Sequence, residues 1–283
     1  MTDAPPLHGM RVTSIATNVP GPVAAARFVA LGATVLKVEP PAGDFLARAA
    51  PAWYDELVHG QRIITLDLKS PTGRVALDEE LANSDVLILS SRPSALARLG
   101  LSRSQLEVAY PRLCTVSIVG HASPHGDQPG HDLTYQAEAG LLATSLPRSL
   151  YSDLSAASEA VSGVLALLLA RAVHGSGGWC EVALASCARV LAAPLRHGLT
   201  APGGELGGGN PGYAIYRTTD GAIAVGALEP HFMQRLLAIV QLSAPDASAM
   251  ARAFRARSTQ EWVDVGRAHD IPLVSLSDAS AAS

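Results

Sequence analysis

The chain has 283 residues, 48% of them hydrophobic and 16% charged. That is the profile of a globular protein with a substantial core and excludes a disordered or fibrous chain. The formal net charge of -4 leaves no basic footprint for nucleic acid. The three cysteines, Cys114, Cys180 and Cys187, form no C-x-x-C pair. They argue against a zinc site or disulfide framework and read as buried small hydrophobes. The start, MTDAPPLHGM, carries no charged-then-apolar leader, and the run Val161–Ala170 is short of the ~20 apolar residues of a membrane span. A soluble, cytoplasmic protein with no membrane partner is expected.

The first half alternates strand and helix signals. Arg11 to Ala16 is β-rich, the turn Asn18-Val-Pro-Gly-Pro22 follows, and an Ala-rich helix runs from about Val23 to Leu31 with Gly32 as its C-cap. Strands are predicted at Thr34–Glu39, Arg62–Leu66, Asp85–Leu89 and Leu113–Val119, and Ser70-Pro71 opens a helix. A helix is predicted at Asp132–Leu142 and a long one at Ser155–His174, ended by Gly175-Ser-Gly-Gly178. A strand at Cys180–Leu184 and a helix at Ala185–His197 come next. Such spacing implies βαβ units: a Rossmann-like α/β domain with a mostly parallel sheet, over residues 1–199. After the glycine-rich stretch 202–211 the pattern changes to a hairpin, Tyr213–Arg217 with Ala222–Ala227, and helices near 230–241, 246–255 and 259–268. This is a smaller α+β domain over residues 200–283.

Five features could carry chemistry, and each also has an ordinary structural reading. The Asn18–Pro22 turn between strand and helix could offer backbone N–H groups to an anion, although its prolines remove two donors. Gly207-Gly208-Gly209 reads as a domain linker or a substrate lid. His131, between Gly130 and Asp132 at a helix start, suits acid/base work or is a capping residue. Asp153, at the start of the long apolar helix, is a helix-terminal charge or a catalytic carboxylate whose ionised form the helix N-terminus favours. Glu229, before Pro230, has the same two readings. The Asn18–Pro22 turn carries no G-x-G-x-x-G, and no P-loop is present.

The ordered set Val19-Pro-Gly-Pro22, Leu31-Gly-Ala-Thr-Val-Leu-Lys-Val-Glu-Pro-Pro41, Gly43-Asp44, Leu66-Asp-Leu-Lys69, Arg92-Pro93, Arg98-Leu-Gly-Leu101, Gly130-His-Asp132, Ser152-Asp-Leu154 and Gly226-Ala-Leu-Glu-Pro230 resembles the family III CoA-transferases. That superfamily includes formyl-CoA transferase, the carnitine-CoA transferases and α-methylacyl-CoA racemase. The resemblance implies coenzyme A as a substrate with no permanent cofactor and no metal, and acyl-CoA and carboxylic acid as partners. It makes the carboxylate of Asp153 the nucleophile of a transferase, passing through mixed anhydrides and an aspartyl-CoA thioester, with the 207–209 glycines as lid. It equally implies a racemase in which His131 and Asp153 are two bases on opposite faces of an enolate, with Glu229 supporting His131. Leu154-Ser-Ala-Ala157 after the aspartate is closer to many transferases, and the family's base rate and the Gly207 loop set transfer narrowly ahead of racemisation. A non-catalytic acyl-CoA-binding relative is a third reading. By the same resemblance CoA is held by Val19, Pro20, Gly21, Lys37, Arg92, Arg98 and the lid glycines Gly207, Gly208 and Gly209, while Pro40 replaces a basic residue common in the family. Family members are usually longer, with a C-terminal segment returning to the large domain. Here that segment looks shortened, and a homodimer, possibly interlocked, is expected.

Overall fold

The apolar runs of the first half do become adjacent strands. The computed structural model describes residues 4–276. β1 (Arg11–Ser14), β2 (Thr34–Glu39), β3 (Arg62–Thr65), β4 (Val86–Leu89), β5 (Cys114–Val119) and β6 (Gly178–Ala183) form one sheet in the order β3-β2-β1-β4-β5-β6. Every neighbouring pair is parallel. The strand order reverses between β1 and β4, and in such sheets ligands bind beyond the strand C-termini at that point. β4 and β5 are buried at every residue, as the continuous runs VLIL and CTVSIV require of strands covered on both faces.

The helices of this unit are α1 (Pro20–Ala30), α2 (Phe45–Ala49), α3 (Pro51–Val58), α4 (Pro71–Leu81), α5 (Pro93–Arg98), α6 (Arg103–Ala109), α7 (Asp132–Glu138), α8 (Tyr151–His174) and α9 (Leu184–Leu191). On one face of the sheet, Ala24, Ala25 and Phe28 of α1 and Ala156, Ala157, Ala160 and Val164 of α8 meet Val12, Val86, Ile88, Val116 and Ile118. Small side chains on both helices allow close approach, which is why an alanine-rich chain still fills this core. The other face packs Leu77 and Leu81 of α4 and Leu96 of α5 against Leu36, Leu87 and Leu89.

α8 begins at Tyr151, four residues before the predicted start, so Asp153 sits inside its first turn. By length and composition alone α8 could cross a membrane. It instead packs against α1, α9, β5 and β6. Near its far end Arg171 donates to the Arg112 carbonyl at 3.0 Å and the Asp85 carboxylate at 2.9 Å, just before β5 and β4.

The chain divides between Ala192 and Ala193, at the break between α9 and α10 (Ala193–Arg196), and not at residue 200. In the second unit β7 (Tyr213–Arg217) and β8 (Ala222–Gly226) form the predicted hairpin, and β9 (Leu273–Ser275) pairs antiparallel with β8. α11 (Pro230–Val240), α12 (Ala247–Phe254) and α13 (Thr259–Ala268) complete it. Leu236, Met250, Phe254 and Trp262 form its core with Tyr216, Ile223 and Val225.

The glycine-rich stretch is folded on itself. Gly207 donates to Gly204, Gly209 to Gly204, and Leu206 to Leu199. Gly208 has φ +101, a left-handed backbone, and a Cβ on Gly207 or Gly209 would strike a backbone carbonyl. Close backbone approach, which composition alone does not reveal, accounts for these glycines. The residues Ser277–Ser283, on which the reading of a shortened C-terminal segment rested, lie outside the described residues.

Candidate functional site

Where the strand order reverses, the loops leaving β1, β4, β5 and β6 enclose a cavity of about 220 Å³. Thr17, Asn18 and Pro20 come from the first loop, Ser90, Ser91 and Arg92 from the second, and Gly120 to His131 from the third. Tyr135 and Asp153 close it from α7 and α8. His131 and Asp153, two of the three predicted catalytic residues, therefore line one cavity. Glu229, the third, belongs to the second unit. It precedes α11, is exposed, and its side chain does not cap that helix.

Asp132 builds the position of Asp153. α8 has no side-chain cap of its own. The Asp132 carboxylate takes that role from 20 residues away, accepting from the Ser152 N–H at 2.8 Å and the Asp153 N–H at 3.1 Å. Its other oxygen accepts from the side-chain amide of Gln136. Asp132 is buried and begins α7. One carboxylate thus ties together the starts of α7 and α8, on which His131 and Asp153 sit. Asp132 does begin its own helix, but no local pattern signals a cap made across 20 residues.

The same arrangement sets the charge state of Asp153. Burial raises its pKa to about 7, and the neighbouring Asp132 carboxylate adds to the rise. The sequence argument expected the helix N-terminus to favour the ionised form. Desolvation and the second carboxylate outweigh it, and the group stands near half-ionised at neutral pH. His131 presents its backbone to the start of α7: its N–H donates to the Thr134 hydroxyl at 3.0 Å and its carbonyl accepts from it at 2.8 Å.

The residues expected to hold CoA are dispersed. Pro20 and Arg92 line the cavity around Asp153. Val19 is buried beside Leu46 and Leu57. Gly21 is buried in the first turn of α1, where a Cβ would collide with Ala16. Two N–H groups of the β1–α1 turn are already engaged, Thr17 with the Ser90 hydroxyl at 3.1 Å and Asn18 with Asp44 at 3.1 Å. Lys37 is 1% exposed, its ammonium 2.7 Å from Asp44 and 3.5 Å from Glu39. It neutralises two buried carboxylates and holds the turn from behind. The sequence marked Lys37 as a cation at a strand end but not that Asp44 would come back to meet it.

Arg98 borders a second cavity with Lys69, Arg74 and Leu99, of about 530 Å³. Between the two lies a third, of about 460 Å³, lined by Val38, Glu39, Pro40 and Leu66. It shares Thr17 and Ser91 with the Asp153 cavity, and Leu68, Lys69 and Leu99 with the Arg98 cavity. A row of cavities with shared walls thus lies along the strand ends, a trough from the carboxylate to a cationic end.

Residues 7–283 match the sequence profile of CoA-transferase family III. The succinate–glutarate CoA-transferase of Agrobacterium fabrum is 28% identical over 278 residues, covering 86% of this chain and 70% of that protein. The α-methylacyl-CoA racemase of Homo sapiens is 30% identical over 250 residues, covering 82% of this chain and 64% of that one. The chain thus spans about two thirds of the length of these relatives. The crystal structure of Rv3272 from Mycobacterium tuberculosis superposes with a TM-score of 0.83 at 25% identity, covering 98% of this chain and 87% of that chain.

Proposed function

The chain belongs to CoA-transferase family III, and on that premise we propose that it moves coenzyme A between carboxylic acids with Asp153 as the attacking group. The observation that carries this reading is the desolvated Asp153 carboxylate, in the first turn of α8, opening into the cavity where the strand order reverses. A carboxylate stripped of water is a stronger nucleophile in its ionised form.

In this reaction an Asp153 oxygen attacks the thioester carbonyl, the C–S bond breaks, and a mixed anhydride and CoA thiolate form. The thiolate attacks the Asp153 carbonyl, releasing the donor acid and leaving an aspartyl-CoA thioester. The acceptor carboxylate attacks that thioester and frees the thiolate. The thiolate takes the acyl group from the second anhydride, and Asp153 is regenerated. Such a row of cavities suits an elongated substrate. The thioester lies by Asp153, the chain and nucleotide run past Thr17 and Ser91, and the phosphates reach Lys69 and Arg98. A cytoplasmic homodimer belongs to the same proposal.

Incubation with succinyl-CoA followed by borohydride or hydroxylamine and mass spectrometry tests it. An adduct on Asp153 is expected. Turnover without any adduct there would remove the nucleophile.

A second reading is favoured by one observation: His131 shares the cavity with Asp153, whose pKa of about 7 suits proton transfer. The pair would then take a proton from the carbon next to the thioester and return one on the other face. Exchange of that hydrogen in heavy water, with no acid accepting CoA, would establish this reading over the first.

A further inference from the structure

Tyr135, in the second turn of α7, is 2% exposed. Among the described residues its hydroxyl has no hydrogen-bond partner. That oxygen is not sealed in the core: the fully enclosed side-chain atoms without a partner among the described residues belong to Gln61, His121, Gln136 and Ser152, whereas Tyr135 lines the Asp153 cavity. The ring is placed with care. Its edge meets His121 at 5.3 Å between centroids. A Cβ on Gly120 would collide with the hydroxyl, and one on Gly130 would lie 2.5 Å from it. Both glycines line the Asp153 cavity together with Tyr135. Two backbone positions have been cleared around one oxygen at the cavity wall, and packing alone gives that oxygen nothing to do.

We propose that the Tyr135 hydroxyl is a catalytic donor to the carbonyl oxygen of the acyl-CoA thioester. The inference rests on the acyl-CoA reading above and adds a residue to it. When Asp153 attacks the thioester, negative charge moves onto that oxygen, and it does so equally if a proton is taken from the neighbouring carbon. A donor fixed in a site sheltered from water is worth most where charge develops. Burial and the nearby Asp153 carboxylate raise the phenol's pKa, with Arg92 opposing them. The group therefore keeps its proton at neutral pH and acts as donor and not as base. It serves both readings of the chemistry, which differ in what Asp153 does and agree on where charge accumulates.

The test is Tyr135→Phe, assayed with succinyl-CoA plus glutarate for transfer and with 2-methylpropanoyl-CoA in heavy water for hydrogen exchange. The expected result is a kcat lower by ~100-fold, KM for the acyl-CoA within about threefold, and a Tm equal to or above that of the unaltered chain. A kcat within about threefold of the unaltered chain overturns the inference, as does a loss confined to KM or accompanied by a falling Tm. An unaltered chain that binds and turns over neither acyl-CoA would overturn the acyl-CoA reading itself. An active one that is indifferent to the substitution removes only the role of Tyr135.

Discussion

Asp153 should make the protein less stable, and Asp153→Asn shows it. The carboxyl titrates near 3.8 in an open chain and at about 7 in the fold. Below pH ~4 both forms are protonated and the residue is neutral in the balance. Between pH 4 and 7 the unfolded chain loses its proton while the folded chain keeps it, so stability falls as pH rises. Above 7 the whole cost is present. At 1.36 kcal/mol per pH unit the gap amounts to a ceiling of ~4 kcal/mol. The side chain is part-exposed, and screening reduces this to ~2 kcal/mol. Asparagine has the shape of the protonated acid and no charge at any pH. The substitution is therefore expected to raise Tm by about 4–8 °C at pH 8 and to leave it nearly unchanged at pH 4, while abolishing turnover. Thermal unfolding followed by circular dichroism at the two pH values measures the difference. An equal Tm change at pH 4 and pH 8 would refute the assigned ionisation.

Lys37→Met tests the buried ion cluster. It leaves Asp44 without its cation and is expected to cost ~3–5 kcal/mol, read from urea unfolding; a near-neutral result would mean that Lys37 is not committed to the fold. Arg98→Ala probes the far end of the trough. KM for an acyl-CoA should rise about tenfold with kcat unchanged, and a fall in kcat at constant KM would contradict a purely anchoring role.

Much of the large unit was legible in the sequence because its cues are local. β4 and β5 announce themselves as unbroken apolar runs, and Gly32, Ser70-Pro71 and Gly175 mark helix ends within a few residues of their place. α2, α3, α5 and α6, of five to eight residues, were not read, and β9, three residues at an edge, is too short for an alternating signal. In the site, Asp153 and His131 were marked by their places at helix starts. The further contacts of Asp132 and Lys37 were not legible because they lie outside any local pattern: a cap made 20 residues ahead and a carboxylate seven residues on that returns through a loop. Tyr135 was not singled out, since no local pattern marks an aromatic at a cavity wall.

Eighteen residues separate Asp153 from Arg171 on α8, which is about five full turns and ~27 Å of helix. The two side chains therefore leave the same face, one into the cavity at the strand C-termini and the other onto the carbonyl and carboxylate before the strand N-termini. α8 behaves as a keyed shaft, seated by Asp132 at one end and by Arg171 at the other. A single residue inserted between them would rotate one end against the other by about 100°. The key and the carboxylate could then no longer both engage. The 139–150 connection ahead of α8 carries no such phase requirement, so changes of length in this protein are admissible there and forbidden eighteen residues deep.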